Sequence, residues 1–192
     1  TTENIMSNTF NFQILTYNDM RQNYTIDALL TSIIDIISND NNEARDFVLL
    51  ASSTKLLRGI DTLYRQKTNE ETEITFISTE ALERLKQIHH DTDEKTAKWK
   101  FNKDFEALER TRKQLFTTDK RCLKISTIQS FKGWESPSVI VILESDFALP
   151  NTTYRPMSPQ TIYTAITRAR ENMYIINIGN DTYHEFFYNQ AL

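Results

Sequence analysis

Short apolar runs separated by helical patterns constrain the fold of this chain more than any other feature. The runs FVLLA (Phe47–Ala51) and VIVIL (residues 139–143) are continuous rather than alternating, which is typical of strands buried on both faces of a sheet. Further strands are predicted near Phe10 and Phe12 through residue 15, at residues 74–77, at Leu123–Thr127 and at residues 173–178. Strands that alternate with helices of ten or more residues indicate a mostly parallel sheet with helices on both faces. The predicted fold class is therefore α/β.

Helical periodicity fills the intervals between these strands. One apolar stripe has the spacing of a single helix face and stops at the breaker run SNDNN; its members are Ile26, Leu29, Leu30, Ile33, Ile34 and Ile37. Ser53 or Thr54 can cap the next helix. Ser158 followed by Pro159 predicts a third helix start.

The bulk composition is that of an ordinary globular domain. The chain has 192 residues, a formal net charge of −4, and 39% hydrophobic and 25% charged residues, so we expect one domain, or one domain with an excursion. Cys122 is the single cysteine and cannot form an internal disulfide. With no apolar run near 18 residues, a cytoplasmic location and no membrane partner are expected. The chain opens TTEN without Met, and we expect it to be a piece of a longer protein.

Residues 95–121 differ from the rest of the chain in charge. They hold nine Lys or Arg against four acids, 9 − 4 = +5, which leaves −4 − 5 = −9 for the remainder. Trp99, Phe101, Phe105 and Phe116 are interleaved with these charges. Basic residues mixed with aromatics can bind phosphates and stack bases. The alternative is a solvated helix whose aromatics face the core, and both interpretations stay open.

Several common sites are absent from the sequence. Gly59, Gly133 and Gly179 are the only glycines, and no Gly-Lys-Ser/Thr exists, so the chain has no P-loop and is not expected to bind a nucleoside triphosphate tightly alone. Two adjacent histidines, a distant third and one cysteine predict no metal site. No Gly-x-Ser-x-Gly elbow supports a serine triad.

Three segments, in order, resemble the C-terminal (second) RecA-like domain of UvrD/Rep-like superfamily 1 helicases. NDMRQNYTIDALL (residues 18–30) is similar to motif IV, STIQSFKGWES (residues 126–136) to motif V, and IYTAITRARENMYII (residues 162–176) to motif VI. FVLLASSTKLLRGIDTLYR (residues 47–65) matches the strand and helix between motifs IV and V. The resemblance implies a RecA-like (P-loop NTPase-type) three-layer domain that lacks the P-loop. Residues 1–192 would be this lobe, with a reduced insertion or helical arm at about 67–119.

The resemblance also implies two catalytic arginines. In motif VI, Ile162, Ala165, Ile166 and Ala169 would form the packed stripe of a helix and leave Arg168 off it. Arg168 could then neutralise charge on a transferring phosphoryl group as an arginine finger. Arg21 is the second candidate for the γ-phosphate, although Asp19-Met20 stand where the motif usually has Asn-Tyr.

Motif V implies contacts with two ligands. Gly133 would allow a special backbone conformation or a close approach, Glu135 would lie near the nucleotide's ribose, and Lys132 would contact phosphate or couple the two sites. Thr127, Gln129 and Ser130 would contact single-stranded nucleic acid, with Gln129 replacing the family's usual His. Trp134 is expected to be a packing residue more than a base-stacking one.

The function implied is that of the C-terminal motor lobe of an ATP-dependent superfamily 1 DNA helicase or translocase. ATP and Mg²⁺ would be bound mainly by an N-terminal RecA-like lobe of the same polypeptide, and the track would be single-stranded nucleic acid, with DNA expected. The fragment alone would be inactive. A first alternative is a degenerate lobe that binds nucleic acid or protein without motor activity. A second is a flavodoxin-like or receiver-like binding domain, which would need a phosphate loop or an acidic cluster at the strand ends.

Overall fold

One six-stranded sheet organises the computed structural model, which describes residues 12–39, 43–89, 94–145 and 157–191. All neighbouring strands are parallel, in the order β1-β6-β5-β2-β4-β3. The strands are β1 (Ile14–Asp19), β2 (Phe47–Ala51), β3 (Thr72–Ile74), β4 (Leu123–Thr127), β5 (Ser136–Leu143) and β6 (Ala169–Asn177). The α/β prediction is confirmed, and the fold is consistent with a RecA-like domain.

Six helices lie in the described parts of the chain. They are α1 (Ile26–Asn39), α2 (Thr54–Thr68), α3 (Thr79–Ile88), α4 (Glu94–Leu115), α5 (Pro159–Ile166) and α6 (His184–Gln190). None of these six combines the length and the hydropathy that a membrane-crossing helix requires. A short 3₁₀ turn, Ala44–Asp46, precedes β2.

The helices bury the two faces of the sheet in separate apolar clusters. On one face Leu29 and Ile33 of α1 and Leu57 and Ile60 of α2 cover the sheet. On the other face the cover comes from α5, α6 and the segment between β4 and β5, through Ile162, Ala165, Phe187, Ile128 and Phe131. β2 and β5 contribute residues to both clusters and are covered on both faces, which explains their continuous apolar runs.

Several sequence-based boundaries are confirmed. β2 and β4 have the predicted ends. The hydroxyl of Ser53 caps α2 by accepting a hydrogen bond of 3.2 Å from the amide of Leu56. Ser158 caps α5 in the same way and Pro159 is its first residue.

Three other predictions need correction. β3 is Thr72–Ile74 rather than residues 74–77; its polar Glu73 is nonetheless buried, because Lys120 pairs with its carboxylate at 2.5 Å. β1 begins at Ile14, after Phe12, and Phe10 lies outside the described residues. Helix α5 ends at Ile166, so Ala169 is the first residue of β6 and not part of a helical stripe.

Helices α3 and α4 lie between β3 and β4 and are not part of the sheet's two covering layers. The ring of Phe101 in α4 contacts that of His89 after α3 at 6.2 Å, and Phe105 stacks on Phe101 at 6.0 Å. None of residues 96–115 is fully buried. These two helices occupy most of the range in which the sequence suggested an insertion.

Candidate functional site

Because all the strands of the sheet are parallel, their two ends form two distinct surfaces, which we call the carboxyl edge and the amino edge. The carboxyl ends of the strands lie at one edge and the amino ends at the other. The predicted site residues divide between these edges according to whether they follow or precede a strand.

Arg168 lies at the amino edge, in the turn between α5 and β6. Its Nε donates to the carbonyl of Thr164 at 3.0 Å, its Nη1 to the carbonyl of Trp134 at 3.1 Å, and its Nη2 to the hydroxyl of Thr167 at 2.9 Å. The amide of Ser136 in turn donates to the carbonyl of Arg168 at 2.9 Å. Arg168 is therefore fixed by a turn and neutral acceptors, and the prediction that it lies on a packed helix is wrong.

Gly133 lies beside Arg168 at the same edge. Its φ is +95°, and a Cβ added there would have no atom within 4 Å. Glycine is therefore needed at this position because other residues rarely adopt this backbone conformation, and not because another atom approaches the backbone closely. The side chains of Lys132 and Glu135, which are close to Gly133 in sequence, are exposed, so both are accessible to a ligand.

Trp134 joins this edge to the end of α4. Its ring packs edge-to-face against Phe116, with centroids 5.9 Å apart and an interplanar angle of 82°. Phe116 is buried and also contacts Phe131. Trp134 remains 40% exposed, so it has one packed side and one open side.

Thr127, Gln129 and Ser130 lie together at the carboxyl end of β4. The hydroxyl of Thr127 accepts a hydrogen bond of 3.1 Å from the amide of Ser130 and donates one of 2.9 Å to the hydroxyl of Ser130. Gln129 is exposed. The turn thus presents one amide side chain and two hydroxyls at this edge.

Arg21 also lies at the carboxyl edge, after β1, where carboxylates surround it. Its guanidinium binds both oxygens of Asp19, at 2.9 and 3.0 Å, and Oδ1 of Asp181 at 2.5 Å. The hydrogen bond from Arg21 lowers the pKa of Asp19 below its usual value, and the same contact raises the pKa of Arg21. Two carboxylates therefore neutralise this arginine.

The expectation that Arg21 and Arg168 converge on one phosphate is wrong. Asp19, two residues before Arg21, pairs with Asn177 at the end of β6, whereas Arg168 precedes the first residue of β6. At about 3.3 Å per residue, the nine steps along β6 separate the two positions by about 30 Å. The structure instead brings Arg168 to the carbonyl of Trp134, which lies between Gly133 and Glu135 in the chain.

A buried carboxylate that the sequence interpretation missed lies in the central crevice of the carboxyl edge. The chain leaves β2 through α2 on one face and leaves β5 through α5 on the other, which makes the ends of these neighbouring strands a topological switch point. Oε1 of Glu144 accepts hydrogen bonds of 2.7 Å from the amides of Ser52 and Ser53 at the start of α2. Burial raises the pKa of Glu144. The sequence did contain a signal for this site, because Glu144 is an acidic residue directly after the apolar strand β5.

Glu144 occupies a position in which folds of this kind commonly bind an anion. Amides at the start of a helix after a central strand are typical phosphate ligands. In this protein those amides instead bind the carboxylate of Glu144. Within the described residues, no three His, Cys, Asp or Glu side chains gather as a metal site would require.

The comparisons with known proteins show a likeness of fold. The chain is similar in structure to the C-terminal domain of a possible DNA helicase from Lactobacillus plantarum WCFS1, with a TM-score of 0.50 and 13% sequence identity. The match covers 93% of this chain and 81% of that one. No protein-family model and no curated protein matches the sequence. At this identity the likeness shows the fold alone.

Proposed function

We propose that this chain is the second RecA-like lobe of an ATP-dependent superfamily 1 DNA helicase or translocase of the UvrD/Rep type. One observation carries the proposal: residues 127–135 extend from the carboxyl edge of the sheet to the amino edge. Thr127 and Gln129 lie at the first edge, and Glu135 lies at the second, next to Trp134, whose carbonyl contacts Arg168. A single segment therefore connects a surface for nucleic acid with a surface for nucleotide.

The amino edge supplies the nucleotide contacts in this proposal. Arg168 reaches a γ-phosphate held on the N-terminal lobe of the full-length protein, where its planar guanidinium can donate two hydrogen bonds. Lys132 adds positive charge, and the carboxylate of Glu135 accepts a hydrogen bond from the ribose. Mg²⁺ bound with ATP on that other lobe would neutralise phosphate charge. This chain contributes the arginine.

Closing of the cleft requires Arg168 to exchange its present partners. Its three acceptors are carbonyl and hydroxyl oxygens, and a phosphate oxygen is a stronger acceptor because its hydrogen bonds are charge-assisted. The guanidinium can therefore leave Trp134 and Thr164 without separating an ion pair. Arg21, by contrast, would have to leave two carboxylates, and it is omitted from the catalytic assignment.

The position of α1 gives a second reason to omit Arg21. Motif IV has its Asn-Tyr pair just before a helix, and Asn23-Tyr24 directly precede Thr25 and the start of α1 at Ile26. In this register Thr25 stands at the motif's arginine position. The proposed lobe thus supplies one arginine to the nucleotide rather than two.

The carboxyl edge provides the nucleic-acid contacts. Hydroxyl and amide side chains are common ligands of the phosphate backbone, and Thr127, Gln129 and Ser130 present them at the end of β4. Ile128 and Phe131 anchor this segment in the core, and the amides of Phe131 and Trp134 bond back to Thr127 and Phe131 at 3.0 and 3.1 Å. A displacement at one edge can therefore be transmitted to the other as a rigid-body shift.

Glu144 supports the assignment of ATP to another lobe. Its carboxylate fills the anion position at the start of α2, and the sequence has no P-loop. The deciding experiment measures ATP hydrolysis by the full-length parent and by this chain, each with and without single-stranded DNA. We expect DNA-stimulated turnover in the parent and none in the chain. A parent that binds DNA but never hydrolyses ATP would overturn the motor proposal and favour the degenerate lobe.

A further inference from the structure

We infer that one side of α4 is a second binding surface for single-stranded nucleic acid, separate from the carboxyl edge of the sheet. We call this side the outer face of α4 and define it by Trp99, Lys100, Lys103 and Arg110. The inference stands independently of the motor role, since a lobe without ATPase activity could use the same surface.

The geometry of α4 places these four side chains away from the rest of the lobe. Phe101 and Phe105 lie on the side that faces His89 and α3, and both are half-buried. At 100° per residue, Trp99, Lys103 and Arg110 cluster on the opposite side. Trp99 is 62% exposed, so the interpretation in which every aromatic of this segment faces the core does not hold for it.

Charge on the outer face is positive and available to a ligand. Within the described residues, no acidic side chain forms an ion pair with Lys100, Lys103 or Arg110. Nearby acids are used elsewhere: Asp104 binds His89 at 2.9 Å, and Glu109 pairs with Lys113 at 4.0 Å. Glu106 is the one acidic residue on this side of the helix.

Trp99 gives the surface a feature that a simple basic patch lacks. The ammonium of Lys103 lies 5.3 Å from the centroid of the indole ring, within the range of a cation–π contact. That contact places a positive charge over the ring, and because Trp99 is 62% exposed, other aromatic surface remains open to a ligand. A single strand offers both matching groups, an unpaired base to stack on the indole and a phosphate for the lysine.

The arrangement favours a nucleic acid over a protein as the occupant. The exposed aliphatic side chains of α4, Leu108 and Leu115, lie about 120° or more around the helix from Lys103. The outer face therefore has no continuous apolar centre of the kind that protein interfaces bury. Its one large apolar group is an aromatic ring among cations, which complements a polyanion with planar bases.

Fluorescence of Trp99 tests the inference directly. The sequence has two tryptophans, so Trp134→Phe leaves Trp99 as the sole tryptophan, and circular dichroism verifies that the variant is folded. The variant is titrated with oligo(dT) and, separately, with oligo(rU). At least one of the two oligonucleotides should quench the emission of Trp99. No quenching by either oligonucleotide would overturn the inference, as would a Trp99-dependent dimer of the chain that excludes the oligonucleotide.

Charge variants provide the matched control in a binding assay. Lys100→Glu with Lys103→Glu should weaken oligonucleotide binding and lower the salt dependence, with log Kd losing about 1.4 in slope against log salt if both lysines contact phosphate. Lys67→Glu with Lys86→Glu changes the net charge equally on exposed positions of α2 and α3 and should have little effect. Equal weakening in the two double variants would show non-specific attraction and overturn the inference.

Two single variants separate this surface from the proposed site at the carboxyl edge. Trp99→Ala should weaken binding about fivefold or more, the low end for one base–aromatic stack. Gln129→Ala should leave the quenching of Trp99 at saturation unchanged. If Gln129→Ala abolished that quenching while Trp99→Ala had no effect on affinity, nucleic acid would bind at the carboxyl edge alone.

Discussion

The carbonyl oxygen of Trp134 accepts a hydrogen bond of 3.1 Å from Nη1 of Arg168, and this contact joins the segment before β5 to the turn before β6 at the amino edge. Trp134 also packs on Phe116, at the point where the chain leaves α4. The orientation of Arg168 therefore depends on the segment between β4 and β5 as well as on its own turn.

Replacement of Arg168 should remove ATP hydrolysis and spare the fold. In the full-length parent, Arg168→Ala should reduce turnover by about 10³-fold or more, the low end for an arginine finger. The matched control is Arg170→Ala, an exposed arginine two residues along β6, which should retain turnover. Steady-state ATPase rates with saturating single-stranded DNA measure both. Near-normal turnover in Arg168→Ala would contradict the assignment.

Replacement of Arg21 should have a much smaller effect on the same assay. Its charge is already neutralised by Asp19 and Asp181, and it lies at the opposite edge from Arg168. Arg21→Ala should lower turnover by less than about tenfold, against about 10³-fold for a finger. A loss comparable to that of Arg168→Ala would mean that the cleft brings the two edges to one phosphate.

The two glycines at 59 and 133 should respond to alanine in opposite directions. Gly133 has a φ of +95°, and a side chain in left-handed backbone costs about 1–2 kcal/mol. Gly59 lies inside α2, and a Cβ added to it would meet no atom within 4 Å, so alanine there should stabilise the chain by about 0.5–1 kcal/mol. Urea unfolding of the two variants measures both free energies. Destabilisation by Gly59→Ala, or a neutral Gly133→Ala, would contradict the backbone argument.

Much of the fold could be predicted because hydrophobic patterning fixes buried strands. β2 was predicted to the residue since it is apolar throughout and lies inside the sheet, where both faces are covered. β4, which also lies inside the sheet, was predicted to the residue although Lys124, Ser126 and Thr127 are polar. The predicted position of β3 was wrong because the strand contains a polar residue, Glu73, which is buried through its pairing with Lys120. Long-range pairing of this kind has no local signal.

The error over the two arginines has a different cause. The sequence did indicate that Arg21 follows a strand and that Arg168 precedes one, and in a parallel sheet those positions lie at opposite edges. The helical spacing of Ala165 and Ala169 hid this, because the sheet pairing of Ala169 with Ser136 ends α5 earlier than its apolar spacing suggests. The contact between Arg21 and Asp181 joins residues that are far apart in the sequence, so only the structure reveals it.

Glu144 should make stability depend on pH in a defined direction. Burial raises its pKa above the ordinary glutamate value of 4.5, so the folded chain binds a proton more tightly than the unfolded chain at this position. A group with a raised folded pKa contributes stability that is fully present below its unfolded pKa and is lost as the pH rises through its folded pKa. The free energy of unfolding of the native chain, relative to that of Glu144→Gln, should therefore increase on acidification and level off below about pH 4.5.

Urea unfolding of both proteins across this pH range measures that difference. Glu144→Gln is the matched variant because its side-chain oxygen can still accept from the amides of Ser52 and Ser53, while the titrating group is gone. Other titrating groups are common to the two proteins and cancel in the comparison. A difference that stays flat, or that shrinks as the pH falls, would mean that the amides of Ser52 and Ser53 stabilise the carboxylate at least as much as burial destabilises it.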